Sequence, residues 1–264
     1  TRPTRRRPHA GLLRFGAHLP PPVFLGAAGL VVAFVVLGAT RTEQTAAAFR
    51  AIQSFIVSAF GWWYILAASV LLLFVASLVF SRFGRIRLGR PDEKPEFHAL
   101  TWFSMLISAG MGIGIVFFGA AEPMEHFVDP PQGEGGDLAA MRTAMRYTFF
   151  HWGLHPWAIY SAFALPLAYL HFRRDLPMAP RSLLWPLIGD GIHGRIGDAV
   201  DILCTVGTLF GVATSLGLGA LQINAGLNQL LGLPEGAAVQ VLLIATITLV
   251  ATFSVVSGIH VGIR

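Results

Sequence analysis

Residues 100–121 read LTWFSMLISAGMGIGIVFFGAA, a run without charged side chains that is long enough to cross a membrane. A hydrocarbon core about 30 Å thick needs about 20 apolar residues of helix. Gly110, Gly112 and Gly114 stand at alternate positions in this run, and each lowers helix propensity by about 1 kcal/mol relative to alanine. The segment predicts either a helix broken beside a protein cavity, with backbone groups free to meet a ligand, or a close helix contact through Gly110 and Gly114.

Five further stretches reach the same length, so the chain is predicted to be an all-α integral membrane protein with six transmembrane helices. Of the 264 residues, 54% are hydrophobic and only 12% are charged. A soluble domain carries about 25% charged residues, so this composition excludes water as the solvent for most of the surface. The approximate limits of the five stretches are 20–40, 55–81, 149–171, 199–231 and 237–258.

The basic residues are distributed unevenly between the two sides of these spans. All but four of the 19 Lys and Arg residues fall on the side that holds both chain ends. Because cytoplasmic loops are enriched in Lys and Arg, this side is predicted to be cytoplasmic. The four exceptions on the outer side are Arg41, Arg50, Arg142 and Arg146. The last two belong to residues 122–148, which are predicted to form an outer loop.

Several functional classes are disfavoured by what the sequence lacks. The arginines lie in short connections rather than on a basic folded face, so no nucleic-acid partner is expected. The single cysteine, Cys204, excludes a disulfide within the chain, and no GxxxxGK[ST] run indicates direct use of ATP. From these features we expect neither a cofactor nor a structural metal.

Three large aromatic side chains, Trp152, Trp157 and Tyr160, lie at the beginning of the fourth predicted span. On one regular helix they would share a face of about 140°. Such π surfaces attract a cation that cannot donate hydrogen bonds, for example a quaternary ammonium, by about 2 kcal/mol or more in a dry site. An aromatic belt at the membrane interface is the alternative. It suits Trp152 at the outer boundary better than Tyr160, about two turns deeper.

Two histidines of the same segment, His151 and His155, are four residues apart and could together bind a metal or a haem. A metal site needs further ligands, and no third donor is evident in the neighbouring spans. Histidines that face polar groups at the interface are therefore the preferred interpretation. A membrane-bound metallo- or haem protein using these two residues stays as the alternative function.

The fifth predicted span begins with Asp198 and Asp201, which are predicted to stabilise the N-terminus of its helix. Thr208 and Thr214 follow at membrane depth. Most threonines in such positions bond back to a carbonyl of their own helix, so an ion-binding role is the less favoured interpretation.

Longer motifs resemble the betaine/choline/carnitine transporter family, and the pattern is closest to its choline and glycine betaine carriers. They are SAGMGIGIVFFGAAEPMEHF at 108–127, TFFHWGLHPWAIY at 148–160 and TLFGVATSLGLGALQINAGL at 208–227. The resemblance runs from about residue 20 to the end of the chain. It implies a secondary active transporter of the bacterial inner membrane, ion-coupled and used in osmoprotection, that imports choline or glycine betaine.

The family resemblance also implies a fold, a twelve-span protein with a LeuT-like core of two inverted five-helix repeats. This chain would be a fragment that holds the first part of it. Residues 1–19 would form a cytoplasmic basic N-terminus, residues 20–98 two peripheral transmembrane helices with a cytoplasmic loop, and residues 99–264 four helices of the first repeat. Family members commonly form homotrimers.

The same resemblance assigns roles to particular residues. Trp152, Trp157 and Tyr160 match aromatic side chains that cage a trimethylammonium group. The unwound segment beside the substrate is matched by Gly110, Met111, Gly112 and Gly114.

For the coupling ion, H⁺ or Na⁺, the resemblance points to Ser108, Met111 and Thr208. The second threonine expected at the sodium site is Val212 here, which has no oxygen to offer a hard cation. The pattern therefore resembles the proton-driven choline branch more than the sodium-coupled betaine branch.

Overall fold

The computed structural model describes residues 21–89 and 94–257, and the regular secondary structure in these ranges is helical throughout. Short 3₁₀ turns lie at Arg82–Arg85, Pro180–Leu184 and Gly189–His193. The basic N-terminus predicted over residues 1–19 lies outside the described residues. The α-helices are α1 (Pro21–Thr40), α2 (Thr42–Phe80), α3 (Ala99–Gly110), α4 (Phe118–Val128), α5 (Leu138–Trp152), α6 (Leu154–Arg174), α7 (Trp185–Ile188), α8 (Arg195–Leu231) and α9 (Ala237–Ser257).

Four of these helices, α1, α2, α8 and α9, are long and apolar enough to cross a membrane. Helices α1 and α9 lie within the predicted spans 20–40 and 237–258. Helix α2 has 39 residues and α8 has 37. At 1.5 Å per residue both are about 55–60 Å long, well beyond the thickness of a hydrocarbon core. Each therefore tilts or continues past the core, and both begin before the predicted starts at 55 and 199.

The third and fourth predicted spans are not single helices. The break in the third agrees with one of the two interpretations of its glycine run, whereas the break in the fourth corrects the sequence prediction. Helix α3 passes at Met111–Ile115 into a wide π-type turn in which Gly112 has non-helical torsions (φ −63°, ψ −137°). The predicted span 149–171 is interrupted at Gly153 (φ −83°, ψ −132°), which separates α5 from α6.

Pro156 explains the second break. Inside a continuous helix its ring would clash with the preceding turn, and its missing N–H would leave the carbonyl of Trp152 unpaired. As the third residue of α6 it is tolerated, because the first four N–H groups of a helix have no partner within the helix.

Helices α4 and α5 form an antiparallel hairpin over residues that were predicted to be an outer loop, 122–148. Gly136 adopts φ +87°, and its N–H donates to a carbonyl in the last turn of α4. Asp137 caps α5 by accepting a hydrogen bond of 2.6 Å from the backbone N–H of Ala140. The buried side chains of Ala140 and Ala144 give α5 a smooth face on which α4 packs closely. The hairpin places residues 122 and 151, far apart in sequence, next to each other.

The described residues group into two compact units. The first contains the described residues up to Arg50 together with Ala179–Val206, and the second contains Ala51–Met178 with the described residues from Gly207 onward. In the first unit α1 meets α8 at Gly26, where an added Cβ would lie 2.6 Å from Cδ1 of Ile202. In the second, the turn after α8 is held by the fully buried Asn224, which bonds backbone groups on the far side of the turn.

A buried ion pair organises the first unit around Arg181, whose exposed fraction is only 7%. Its Nε donates to Oδ2 of Asp201 at 2.6 Å and its Nη2 to Oδ1 of Asp198 at 2.9 Å. The backbone N–H of Arg181 donates to the other oxygen of Asp201 at 2.9 Å. Asp198 lies in the first turn of α8, where an acidic residue was predicted to stabilise the helix N-terminus, and the carboxylates of both aspartates also bind this guanidinium.

The charge of Arg181 is secured by the same contacts. Burial on its own would lower the pKa of Arg181, but the hydrogen bonds to Asp201 and Asp198 and their negative charges outweigh burial and raise this pKa above its usual value. A basic group with a raised folded-state pKa contributes stability below its unfolded pKa and loses it as pH rises through the folded one. That range is strongly alkaline, so Arg181 stays charged at neutral pH.

Candidate functional site

Trp152 ends α5 and lies against the broken segment between α3 and α4. Its ring stacks on Phe118, with centroids 5.6 Å apart and planes inclined by 24°. A Cβ added at Gly114 would lie 2.7 Å from Cζ3 of this indole, closer than real contacts allow. Glycine at position 114 therefore makes room for the Trp152 ring.

The backbone at Gly112 is open on its side-chain face, because nothing lies within 4 Å of a Cβ added there. The amide of Gln222 on α8 donates to the carbonyl of Val116 just after the π-type turn, at 3.3 Å. Gly112 and Gly114 therefore have different roles. At Gly112 the helix is broken, whereas Gly114 accommodates an indole instead of a neighbouring helix. Substrate binding by this segment stays a prediction, and the side chain of Met111 lies outside the described part of the structure.

The buried carboxylate of Glu122 holds Trp152 in place. Its Oε2 accepts a short hydrogen bond from Nε1 of Trp152, and its Oε1 accepts another from Nδ1 of His151. Nε2 of His126, one turn further along α4, lies 3.4 Å from the same Oε1. One acidic side chain on α4 therefore fixes two consecutive residues at the end of α5.

Trp157 and Tyr160 form a separate aromatic pair at the start of α6. Their ring centroids are 5.8 Å apart and their planes are inclined by 37°. Both are accessible, with exposed fractions of 47% and 69%. In the described part of the chain no ring contact joins either of them to Trp152. The helical angle used to place all three on one face does not apply, because Gly153 interrupts the helix between them.

The two histidines of this segment have different neighbours. His155 packs its ring against Phe150, with centroids 4.6 Å apart. His151 faces Glu122 and His126 across the hairpin. The expectation that no third donor lies near His151 is wrong, because residues 122–148 form part of a helical hairpin instead of an outer loop and bring Glu122 and His126 next to it. The usable signal was the spacing of Glu122 and His126, four apart and so on one face of a helix.

The residues assigned to ion coupling lie on two helices. Ser108 is in the last turn of α3, and Thr208 is on α8 with Val212 one turn further along; all three side chains are exposed. Thr214 donates to the carbonyl of Phe210 at 2.9 Å, which confirms the expected back-bonding for that residue. The ion-binding roles of Ser108, Met111 and Thr208 stay predictions.

Comparison with known proteins gives a consistent result. The family model described as betaine/carnitine/choline family transporter matches residues 22–264. The glycine betaine transporter OpuD of Bacillus subtilis is 47% identical over 243 residues, which are 92% of this chain and 48% of that protein. The high-affinity choline transport protein of Escherichia coli K12 is 41% identical over 244 residues, 92% of this chain and 36% of that protein.

An uncharacterized transporter of Mycobacterium tuberculosis (strain H37Rv) is 46% identical over 250 residues, 93% of this chain and 42% of that protein. The chain spans less than half the length of these curated relatives.

Proposed function

This chain belongs to the betaine/carnitine/choline family of transporters, and we propose that it is part of a twelve-span secondary carrier that imports choline or glycine betaine for osmoprotection. It is a multi-pass membrane protein. In the proposed topology it contributes six spans to the inner membrane, two of them broken at Gly112 and Gly153, with its N-terminus in the cytoplasm. Relatives named for glycine betaine and for choline transport support this substrate class.

The position of Trp152 against Gly114, two residues beyond the break at Gly112, is the observation that carries this proposal. A trimethylammonium group has no N–H to donate, so it is best held by the negative faces of aromatic rings. The indole of Trp152, fixed by Glu122, offers one such surface, and the accessible pair of Trp157 and Tyr160 offers two more. The glycine segment lets a ligand approach the backbone closely.

The alternative function, a metallo- or haem protein that uses His151 and His155, is not supported by the arrangement of these residues. It required His151 and His155 to act together, and His155 packs on Phe150 instead. Family membership also supports a carrier without enzymatic chemistry.

Replacing Trp157 by leucine in the intact carrier is expected to raise the apparent KM for labelled choline or glycine betaine about 30-fold. This corresponds to the loss of about 2 kcal/mol of cation–π attraction in a dry site. Trp157→Phe keeps a π face and is expected to retain most of the affinity. Trp62→Leu, an exposed tryptophan of α2 outside the site, is the matched control. An unchanged KM for Trp157→Leu, or an equal change for Trp62→Leu, would remove Trp157 from the binding site.

We propose that transport is driven by protons rather than by sodium. The support is Val212, whose side chain offers no oxygen one helical turn after Thr208, where a sodium site needs a second hard ligand. In proteoliposomes an inward proton gradient is expected to drive substrate accumulation, and replacing external sodium by potassium is expected to change uptake less than twofold. Accumulation that needs sodium and ignores the proton gradient would contradict this.

A further inference from the structure

Three potential metal ligands converge between α4 and α5, and nothing in the transport scheme uses them as a set. They are Oε1 of Glu122, Nε2 of His126 and Nδ1 of His151, and all three atoms lie within 4.8 Å of one another. Helix α4 supplies the first two from one face, and the packed hairpin brings the third from α5. We propose that this Glu–His–His cluster binds one zinc-class divalent cation.

The environment of His126 is the strongest support for a bound ion. Its Nε2 is shielded from solvent and has no hydrogen-bond partner within the described residues. A buried polar atom left without a partner typically costs about 1–3 kcal/mol, and such an atom often marks an ion or water position. Nε2 lies 3.4 Å from Oε1 of Glu122. A cation between these atoms would satisfy His126.

The donor set selects the class of cation. Two imidazole nitrogens and one carboxylate oxygen are a combination used by catalytic and regulatory zinc sites, with water as the fourth ligand. Bonds of about 2.1 Å in tetrahedral geometry place neighbouring ligand atoms about 3.4 Å apart, which is close to the separation of His126 and Glu122. Nδ1 of His151 and Oε1 of Glu122 lie closer together than this, so His151 would have to move away from the carboxylate to bind the same ion. Mg²⁺ and Ca²⁺ prefer sites built from oxygen alone. The side chain of His151 is 44% exposed, which leaves an approach for the ion and for its water.

Binding would change the contacts of the hairpin in a defined way. The hydrogen bond between His151 and Oε1 of Glu122 would be replaced by two bonds to the metal, while Oε2 stays available to Nε1 of Trp152. The ion would thus clamp α5 onto α4 without displacing the indole. Metal binding is measured without transport, so its outcome does not depend on the proposed substrate.

The test uses the intact carrier, purified without a polyhistidine tag, and calorimetric titration with ZnCl₂ and with MgCl₂. One Zn²⁺ per chain is expected, with Mg²⁺ binding at least tenfold more weakly. His126→Phe keeps an aromatic ring beside Tyr147 but removes the nitrogen, and is expected to weaken Zn²⁺ binding at least tenfold. His155→Phe is the matched control and is expected to bind as the parent does.

A second variant covers the case in which His126→Phe fails to fold. His151→Asn can still donate a hydrogen bond to Glu122 but has no imidazole lone pair, so it is also expected to weaken Zn²⁺ binding at least tenfold. X-ray absorption at the zinc edge should show nitrogen and oxygen ligands only. Unchanged affinity in the variants, equal loss in His155→Phe, or a sulfur ligand, which would indicate Cys204, would each overturn the proposal.

Discussion

Replacing Arg181 by alanine is expected to lower the free energy of unfolding by about 3–5 kcal/mol, the usual cost of removing one partner from a buried ion pair. The carboxylate of Asp201 would remain almost fully buried without its charged donor, and Asp198 would lose its partner as well. The measurement is unfolding of the purified carrier in mixed micelles as the denaturing detergent is increased. The midpoint temperature of thermal unfolding is expected to fall as well.

Two further variants separate the ion pair from a general loss of positive charge. Arg195, the first residue of α8, is exposed, and Arg195→Ala is expected to change stability by no more than about 0.5 kcal/mol. Arg181→Lys keeps the charge but lacks the planar fork that binds both aspartates, so an intermediate loss is expected. Equal stability of Arg181→Ala and Arg195→Ala would contradict a stabilising role for the pair.

Length and hydropathy were sufficient to predict the helices that cross the membrane without a break. Helices α1 and α9 lie within the predicted spans because a helix bonds its backbone groups internally, which a lipid-exposed segment requires. Gly112 and Gly114 also indicated an irregular third segment, since three close glycines weaken a helix. The torsions of Gly112 agree with that prediction.

The elements that depend on contacts between distant residues were not predicted. Glu122 and His151 are 29 positions apart, and Arg181 and Asp201 are 20 apart. Periodicity describes one helix at a time and contains no information about such pairs. Once residues 122–148 were treated as a loop, the acidic side chain that holds Trp152 could not be recognised. Pro156 was a local signal for the break at Gly153. It was missed because the span was predicted from its apolar length alone.

Replacing Glu122 by leucine is expected to raise the apparent KM of the intact carrier about 10- to 150-fold, with a much smaller effect on maximal uptake. A hydrogen bond to a charged group contributes about 1.5–3 kcal/mol, and Glu122 is the acceptor that orients the indole of Trp152. Without it the ring can turn away from the substrate. The measurement is initial uptake of labelled choline and glycine betaine over a range of concentrations, with the amount of folded carrier determined in parallel.

The controls decide whether Glu122 positions the indole or only supports the fold. Glu122→Gln retains a carbonyl oxygen that can accept from Nε1 of Trp152, so its KM is expected to stay within a few-fold of the parent. Glu125→Leu changes an exposed carboxylate on the same helix and is expected to leave uptake unaltered.

Less folded protein with an unchanged KM would mean that Glu122 is structural only. If Trp157→Leu raises KM and Glu122→Leu does not, the aromatic site stands but Trp152 needs no acidic anchor. If neither variant changes KM, these ring faces do not hold the substrate, because the position of Trp152 matters for affinity only when a cation rests against it.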